Sequence, residues 1–335
     1  MQRYTLGLLI TLALSLLLMP RASDAQQTVK VPLLGVLGVG RYPTEAEWQR
    51  SPFVQKFHEL GWHEGHNITV ERRYAESQLD RLPDLAADLV RLRPNVIVVV
   101  GGTPGVRAAQ LATKTIPIPI VIRGAGLLVE QGIVPSLAHP GGNITGVENN
   151  AVGLSGKRLE FLKVALPQIT RVAFLFNPAN PFFHFDLPSA ETDAQALGLQ
   201  LQPVAVRNSA ELDVALATLV EYRPDALFIG DDDLFYNHLR QITDFATTHQ
   251  LPSAGGMRGA AQAGSLLTFG YSTRELWQRA AVYVDKILKG TKPGDLPIER
   301  PTKFELIINL KTAKALGITI PPTLLFQADE VIRED

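Results

Sequence analysis

Leu89-Val90-Arg91-Leu92-Arg93-Pro94-Asn95-Val96-Ile97-Val98-Val99-Val100 returns about 130 positions later as Leu219-Val220-Glu221-Tyr222-Arg223-Pro224-Asp225-Ala226-Leu227-Phe228-Ile229. Each copy ends an amphipathic helical stretch, crosses a Pro-marked turn and becomes a short apolar run of the kind that forms a buried strand. A polar loop then opens another helix: Gly101-Gly102-Thr103-Pro104 in the first copy, Gly230-Asp231-Asp232-Asp233 in the second. Two similar α/β units are implied. In open parallel sheets such loops sit at the carboxyl ends of the strands, where ligands bind, so two of them facing each other make a clamp.

Outward from this repeat the chain keeps one rhythm. Apolar runs predict strands over residues 31–38, 67–74, 95–100, 118–122 and 144–147, with helices over 53–60, 82–92, 105–113 and 155–164 between and after them. The cycle restarts with strands over 171–176, 201–206 and 226–229 and helices over 190–197, 210–222 and 239–248. Strands alternating with helices define an α/β chain with two doubly wound parallel sheets.

The N-terminus bears on the compartment. Arg3 precedes an apolar stretch over residues 6–19, and Ser23-Asp24-Ala25 offers small residues at the −3 and −1 positions of a cleavage site. Residues 1–25 therefore read as a signal peptide cleaved near Ala25. Its apolar core of about 14 residues is shorter than the roughly 20 of a membrane-spanning helix. The sequence contains no cysteine, which excludes disulfides, thiol catalysis and lipidation of an N-terminal Cys. At 46% apolar residues the chain has ample material to stabilise itself by packing. A formal charge of −1 provides no electrostatic case for nucleic acid or an anionic membrane.

Several segments resemble the substrate-binding proteins of ABC uptake systems in the tryptophan/tyrosine, or TrpX-like, group. They are residues 61–67, Tyr74-Ala75-Glu76, Asp80-Arg81-Leu82-Pro83, Ala112-Thr113 with Ile116-Pro117, residues 140–147, Asn177-Pro178 and Leu288-Lys289-Gly290. The tail is the most specific piece: Pro301-Thr302-Lys303-Phe304-Glu305-Leu306, residues 309–317 and Pro321-Pro322. The resemblance covers essentially all of the chain after the signal peptide. It implies a type I periplasmic-binding-protein fold, in which two lobes joined by three crossovers close over a small molecule that passes to a membrane permease. It further implies that the chain returns late to the first lobe. Residues 26–148 with 266–292 would make lobe one, and 149–265 with 293–335 lobe two, with crossovers near 146–153, 263–266 and 292–296. Glycine and proline at these places suit hinges.

Cleft residues follow from loop placement. Thr103 before Pro104 fits an N-cap, and with Gly102 it leaves amides that suit a ligand carboxylate. The loop over 38–48 carries Gly40, Arg41, Tyr42 and Trp48, a guanidinium with aromatic walls. Asn177 and Asn180 lead into Phe182, Phe183 and Phe185, the mixture that lines small-molecule pockets, although some of these rings are also expected to pack under the next helix. Of the three aspartates, Asp231 is expected to meet a ligand ammonium while Asp232 or Asp233 caps the following helix. Tyr236 lies one turn further on, and Tyr271 with Glu148, Asn149 and Asn150 completes the ring. Together these would recognise an amino acid zwitterion. Two departures from the family pattern bear on the ligand: Arg123-Gly124-Ala125-Gly126-Leu127 replaces a Gly-Asp-Pro-like stretch, which shifts preference towards acids, and Glu148 replaces a small Ser.

Two other classes stay open at this stage. An exported hydrolase would need a catalytic constellation, but His58, His63 and His66 lack a His-Glu-x-x-His arrangement and Gly153-Leu154-Ser155-Gly156 lacks the spacing of a nucleophile elbow. The aspartate triplet lacks the alternate ligands and terminal Glu of a calcium loop, so neither metal nor cofactor is expected. A binding protein feeding a membrane sensor has the same sequence signature as one feeding a permease. The simplest state for a protein delivering cargo is a monomer.

Overall fold

The computed structural model describes residues 31–149 and 152–333; the predicted signal peptide, Asn150 and the extreme C-terminus lie outside them. Both sheets belong to one compact unit that begins at Pro32. The first half runs β1 (Leu33–Gly38), α1 (Glu45–Gln49), α2 (Pro52–Glu59), β2 (Thr69–Tyr74), α3 (Leu82–Arg91), β3 (Val96–Val100), α4 (Gly102–Ala112), β4 (Ile120–Arg123) and β5 (Ile144–Val147). The second continues with α5 (Leu154–Ala165), β6 (Arg171–Phe176), α6 (Phe183–Ala196), β7 (Gln200–Ala205), α7 (Ser209–Tyr222), β8 (Ala226–Ile229), α8 (Asp233–Asn237), α9 (Leu239–Thr248), β9 (Ser253–Gly255), α10 (Arg258–Ala263) and β10 (Leu267–Tyr271). The chain ends with α11 (Thr273–Leu288), β11 (Phe304–Asn309), α12 (Leu310–Ala315), α13 (Pro322–Gln327) and β12 (Glu330–Ile332).

The repeated sequence becomes repeated topology. The first sheet has the order β2-β1-β3-β4-β5, and the second contains the same order as β7-β6-β8-β9-β10, extended by β11 and β12. Arg93 and Arg223 take φ of 50° and 51°, so the two Arg-Pro turns end their helices with the same left-handed residue. The central strands of both sheets are buried on both faces, as apolar runs without alternation require. In β3, Val96, Val98 and Val100 pack with Phe53 of α2 and Leu276 and Val284 of α11, whereas Ile97 and Val99 pack with Leu89 of α3 and Val106 of α4. In β8, Phe228 faces Leu159 of α5 and Ala190 of α6, and Leu227 faces Leu216 of α7 and Ile242 of α9.

Two expectations about the crossovers need correction. The strand at Leu267–Tyr271 does not complete lobe one: it pairs in parallel with β9 and antiparallel with β11 inside the second sheet. It is the fifth strand of its repeat, as β5 is of the first, and Leu267 is fully buried there. Only the helix after it, α11, returns to the first sheet, so this crossing falls at Ser272 rather than at 263–266. Residues 293–298 also stay with lobe one, where Thr145 Oγ1 donates to the Leu296 carbonyl (2.8 Å) and the Ile298 amide to that of Leu137 (2.7 Å). The third crossing is therefore near residues 299–303. Helix α6 begins at Phe183, earlier than the predicted 190, with Pro188 accommodated inside it.

The first and third crossings form a short ribbon. The Glu148 amide donates to the Glu299 carbonyl (2.8 Å), and the Glu299 amide to that of Gly146 (3.0 Å). Asn149 Nδ2 donates to the Tyr271 hydroxyl (2.5 Å), tying in the second crossing.

Candidate functional site

Loops from both sheets line one cavity: Gly101, Gly102, Thr103, Arg123, Gly124 and Gly126 after β3 and β4, and Asn180, Phe182 and Asp231–233 after β6 and β8. Asn149, Met257, Tyr271 and Thr273 close its hinge side. The lobes meet closely. Gly101 takes φ of 101°, and a Cβ there would stand 2.3 Å from Asp233 Oδ2, so only glycine lets the end of β3 pass beneath that carboxylate. A Cβ on Gly126 would lie 3.0 Å from the Phe182 ring. Asn237 Nδ2 donates to Ser77 Oγ at 2.6 Å across the rim. Glu76 and Ser77 both take left-handed φ, 53° and 61°, while their amides are held by the Gly40 and Val39 carbonyls.

The three aspartates have three different jobs. Asp232 accepts from the Leu234 amide (2.9 Å), capping α8, and from Asn177 Nδ2 (3.2 Å) and Asn180 Nδ2 (2.8 Å); burial raises its pKa. Asp231 pairs with Arg158 of α5 at 2.7 Å, and Arg158, 1% exposed, also donates through Nε to the Phe269 carbonyl (2.6 Å). The Asp233 side chain has no hydrogen-bond partner among the described residues. Burial and then the neighbouring Asp232 push its pKa up to about 6, against the pull of Arg123.

Arg123, at the end of β4, is the cation facing these acids from the other lobe. Its guanidinium lies 4.4 Å from the centroid of the Trp277 ring on α11. Its Nε is buried without a hydrogen-bond partner, and it makes no ion pair among the described residues. A half-buried guanidinium held over an aromatic face and lacking an ion pair is poised to receive a carboxylate.

Behind Asp231, Asp186 of α6 is buried and accepts from Ser155 Oγ at both oxygens (3.0 and 2.9 Å); burial pushes its pKa up to about 7 despite Arg158. An acid whose pKa is raised on folding holds its proton more tightly in the folded state. Its contribution therefore becomes unfavourable as pH rises from about 4 towards 7 and stays so above. Denaturant unfolding at pH 5 and pH 8 is expected to show wild type losing more stability at pH 8 than Asp186→Asn does.

The predicted residues separate into groups. Gly102, Thr103, Asn180, Phe182, Asp231, Asp232 and Tyr271 line the inner cavity, and Asn177 borders its extension below Gly101. Thr103 is not the N-cap. Helix α4 begins at Gly102 after Gly101, and the Thr103 hydroxyl instead donates to the Gly126 carbonyl (3.4 Å) and accepts from Gln131 Nε2 (3.2 Å). Gly40 and Arg41 border a neighbouring outer chamber, with Arg41 already paired to Glu47. Tyr42 is turned away: its ring packs edge-on against Tyr74 at 5.2 Å, and Arg72 stacks between it and Trp48. Glu148 has no exposed surface to offer a ligand, because it accepts from the Leu128 amide (2.8 Å) and from Arg300 Nε (2.6 Å), locking the first crossing to the third. Phe183 packs in the core against Phe174 and Phe176, whereas Phe185 is exposed. Loop reasoning missed Arg158 and Trp277, which arrive from helices distant in sequence. It also missed Asp233 as the unpaired acid.

Two doubly wound lobes, three crossings and a charged cavity between them define a two-lobed binding protein of the type I periplasmic class. The chain belongs to the family of ABC transporter substrate binding proteins, whose profile matches residues 47–332. It is 26% identical over 267 residues to a "Tyrosine-binding protein" of Clostridioides difficile, covering 79% of this chain and 75% of that one. Among solved structures it resembles a conserved domain protein of Vibrio cholerae (24% identity, 90% and 100% coverage, TM-score 0.82). It also resembles an ABC domain from Streptococcus pneumonia in complex with L-Trp (21% identity, 90% and 99% coverage, TM-score 0.80). At these identities the structures support the fold.

Proposed function

We propose that this protein is exported to the periplasm, closes on a small carboxylate-bearing zwitterion of the amino acid type, and hands it unchanged to the permease of an ABC uptake system. The observation that carries the reading is the presence of Arg123 and Asp233 in the lining of one cavity: a stacked guanidinium without an ion pair, and a half-buried acid without a side-chain hydrogen bond. Arg123 receives the carboxylate from lobe one, and Asp233 receives the ammonium from lobe two. This keeps the division of labour expected between the lobes but moves the ammonium from Asp231, which Arg158 occupies, to Asp233. The ligands named for these relatives, tyrosine and L-Trp, support an amino acid with a large ring. The family assignment supports delivery to a permease, and residues 1–25 support export. A thermal-shift screen of the mature chain against amino acids, benzoates and amines tests the ligand class. Ligand at about a hundred times its Kd should stabilise by about 2.7 kcal/mol. Stabilisation by zwitterions and not by amines lacking a carboxylate is expected; a response confined to amines would overturn the reading.

A further inference from the structure

Next to the inner cavity lies a second, larger chamber with more aromatic walls, and the two share Arg123, Asp233, Met257 and Thr273. The inner chamber is bounded chiefly by glycine backbone, carboxylates and amides. The outer one is walled by Trp48, Tyr74, Trp277 and Tyr236, with Pro43 and Pro52 between them. Its polar atoms are mostly committed: Trp48 Nε1 donates to Glu64 (2.9 Å), and Arg41 is paired to Glu47. What remains is planar apolar surface, which binds flat rings.

The charged pair of the proposed site belongs to both chambers, so a zwitterion held there sits at their junction with space on either side. A single aromatic amino acid with its ring in the outer chamber leaves Asn180 and Asp232 of the inner one without a ligand contact. Resting on the zwitterion reading above, we infer that the ligand is elongated, of aromatic-dipeptide size: its ring enters the outer chamber against Trp277 and Tyr236, its carboxylate meets Arg123 at the junction, and its aminoacyl extension occupies the inner chamber, carrying the terminal ammonium to Asp232 and Asp233. Polar walls suit such an extension: the Tyr271 hydroxyl, which accepts from Asn149, keeps its own proton to donate, and Asp232 offers carboxylate oxygens.

Titration calorimetry on the mature chain with L-tyrosine, L-tryptophan, glycyl-L-tyrosine and L-alanyl-L-tryptophan tests this. The dipeptides are expected to bind at least about tenfold more tightly than the free amino acids. Tyr236→Ala, at a half-exposed wall position, is expected to weaken the dipeptides about tenfold. Free amino acids that bind as tightly as the dipeptides, or a Tyr236→Ala variant that binds dipeptides unchanged, would overturn the elongated ligand and leave the zwitterion reading standing. Failure of both classes to bind would remove both readings.

Discussion

Replacing Arg123 by Ala is expected to weaken ligand binding by about 2 to 5 kcal/mol, roughly thirtyfold to several thousandfold in Kd, while leaving the unliganded fold intact. The size follows from burial: a carboxylate bound to a stacked guanidinium in a closed cleft loses its partner without regaining water. The sparing of the fold follows from the absence of any hydrogen bond or ion pair from the Arg123 side chain among the described residues, its aromatic contact being the Trp277 face. Arg123→Lys should recover only part of the loss, because the ammonium keeps the charge but not the planar fork or the stacking surface. Calorimetry gives the affinities, and denaturant unfolding of the unliganded variants checks the fold. An affinity within about twofold of wild type would take Arg123 out of the site.

Arg158→Met is expected to produce the largest loss of stability, about 3 to 5 kcal/mol, on the order of 10 °C in Tm. Arg158 is almost fully buried and neutralises Asp231 beside Asp232 and Asp186, so removing it leaves a desolvated cluster of acids without its cation. Asp231→Ala should also destabilise, by stranding Arg158, so weaker binding in that variant does not place Asp231 on the ligand. Exchanging both partners for apolar residues, Arg158→Met with Asp231→Leu, should recover part of the loss, since a buried pair contributes little net stability over a well-packed apolar substitute. A single Arg158→Met variant as stable as wild type would show that the pair is dispensable.

What was legible in the sequence was local. Apolar runs placed β5, β6 and β8 at their observed limits, and the doubled Arg-Pro turn foretold two lobes of one topology. The polar loops after β3, β6 and β8 were recognisable as cleft residues because strand ends dictate where loops go. What escaped depends on partners distant in the chain. Asp231 was read as free, but its cation lies 73 residues away on α5. Arg123 stood out as unusual in sequence, yet the Trp277 face that makes it a receptor comes from α11, after the second crossing. Glu148 looked like a ligand contact because the Arg300 side chain that binds it belongs to the third crossing. The misplaced β10 has the same origin: its apolar run names a strand, and only pairing with β9 names the sheet.

Arg123 is the group through which the cleft is proposed to select a carboxylate. The most direct measurement is titration calorimetry of the mature chain with one matched pair, the aromatic ligand best retained in the thermal-shift screen and its methyl ester. Binding of the acid with a loss of at least about thirtyfold for the ester, and collapse of that difference in Arg123→Ala, is the predicted result. An ester that binds wild type as tightly as the acid does would contradict it.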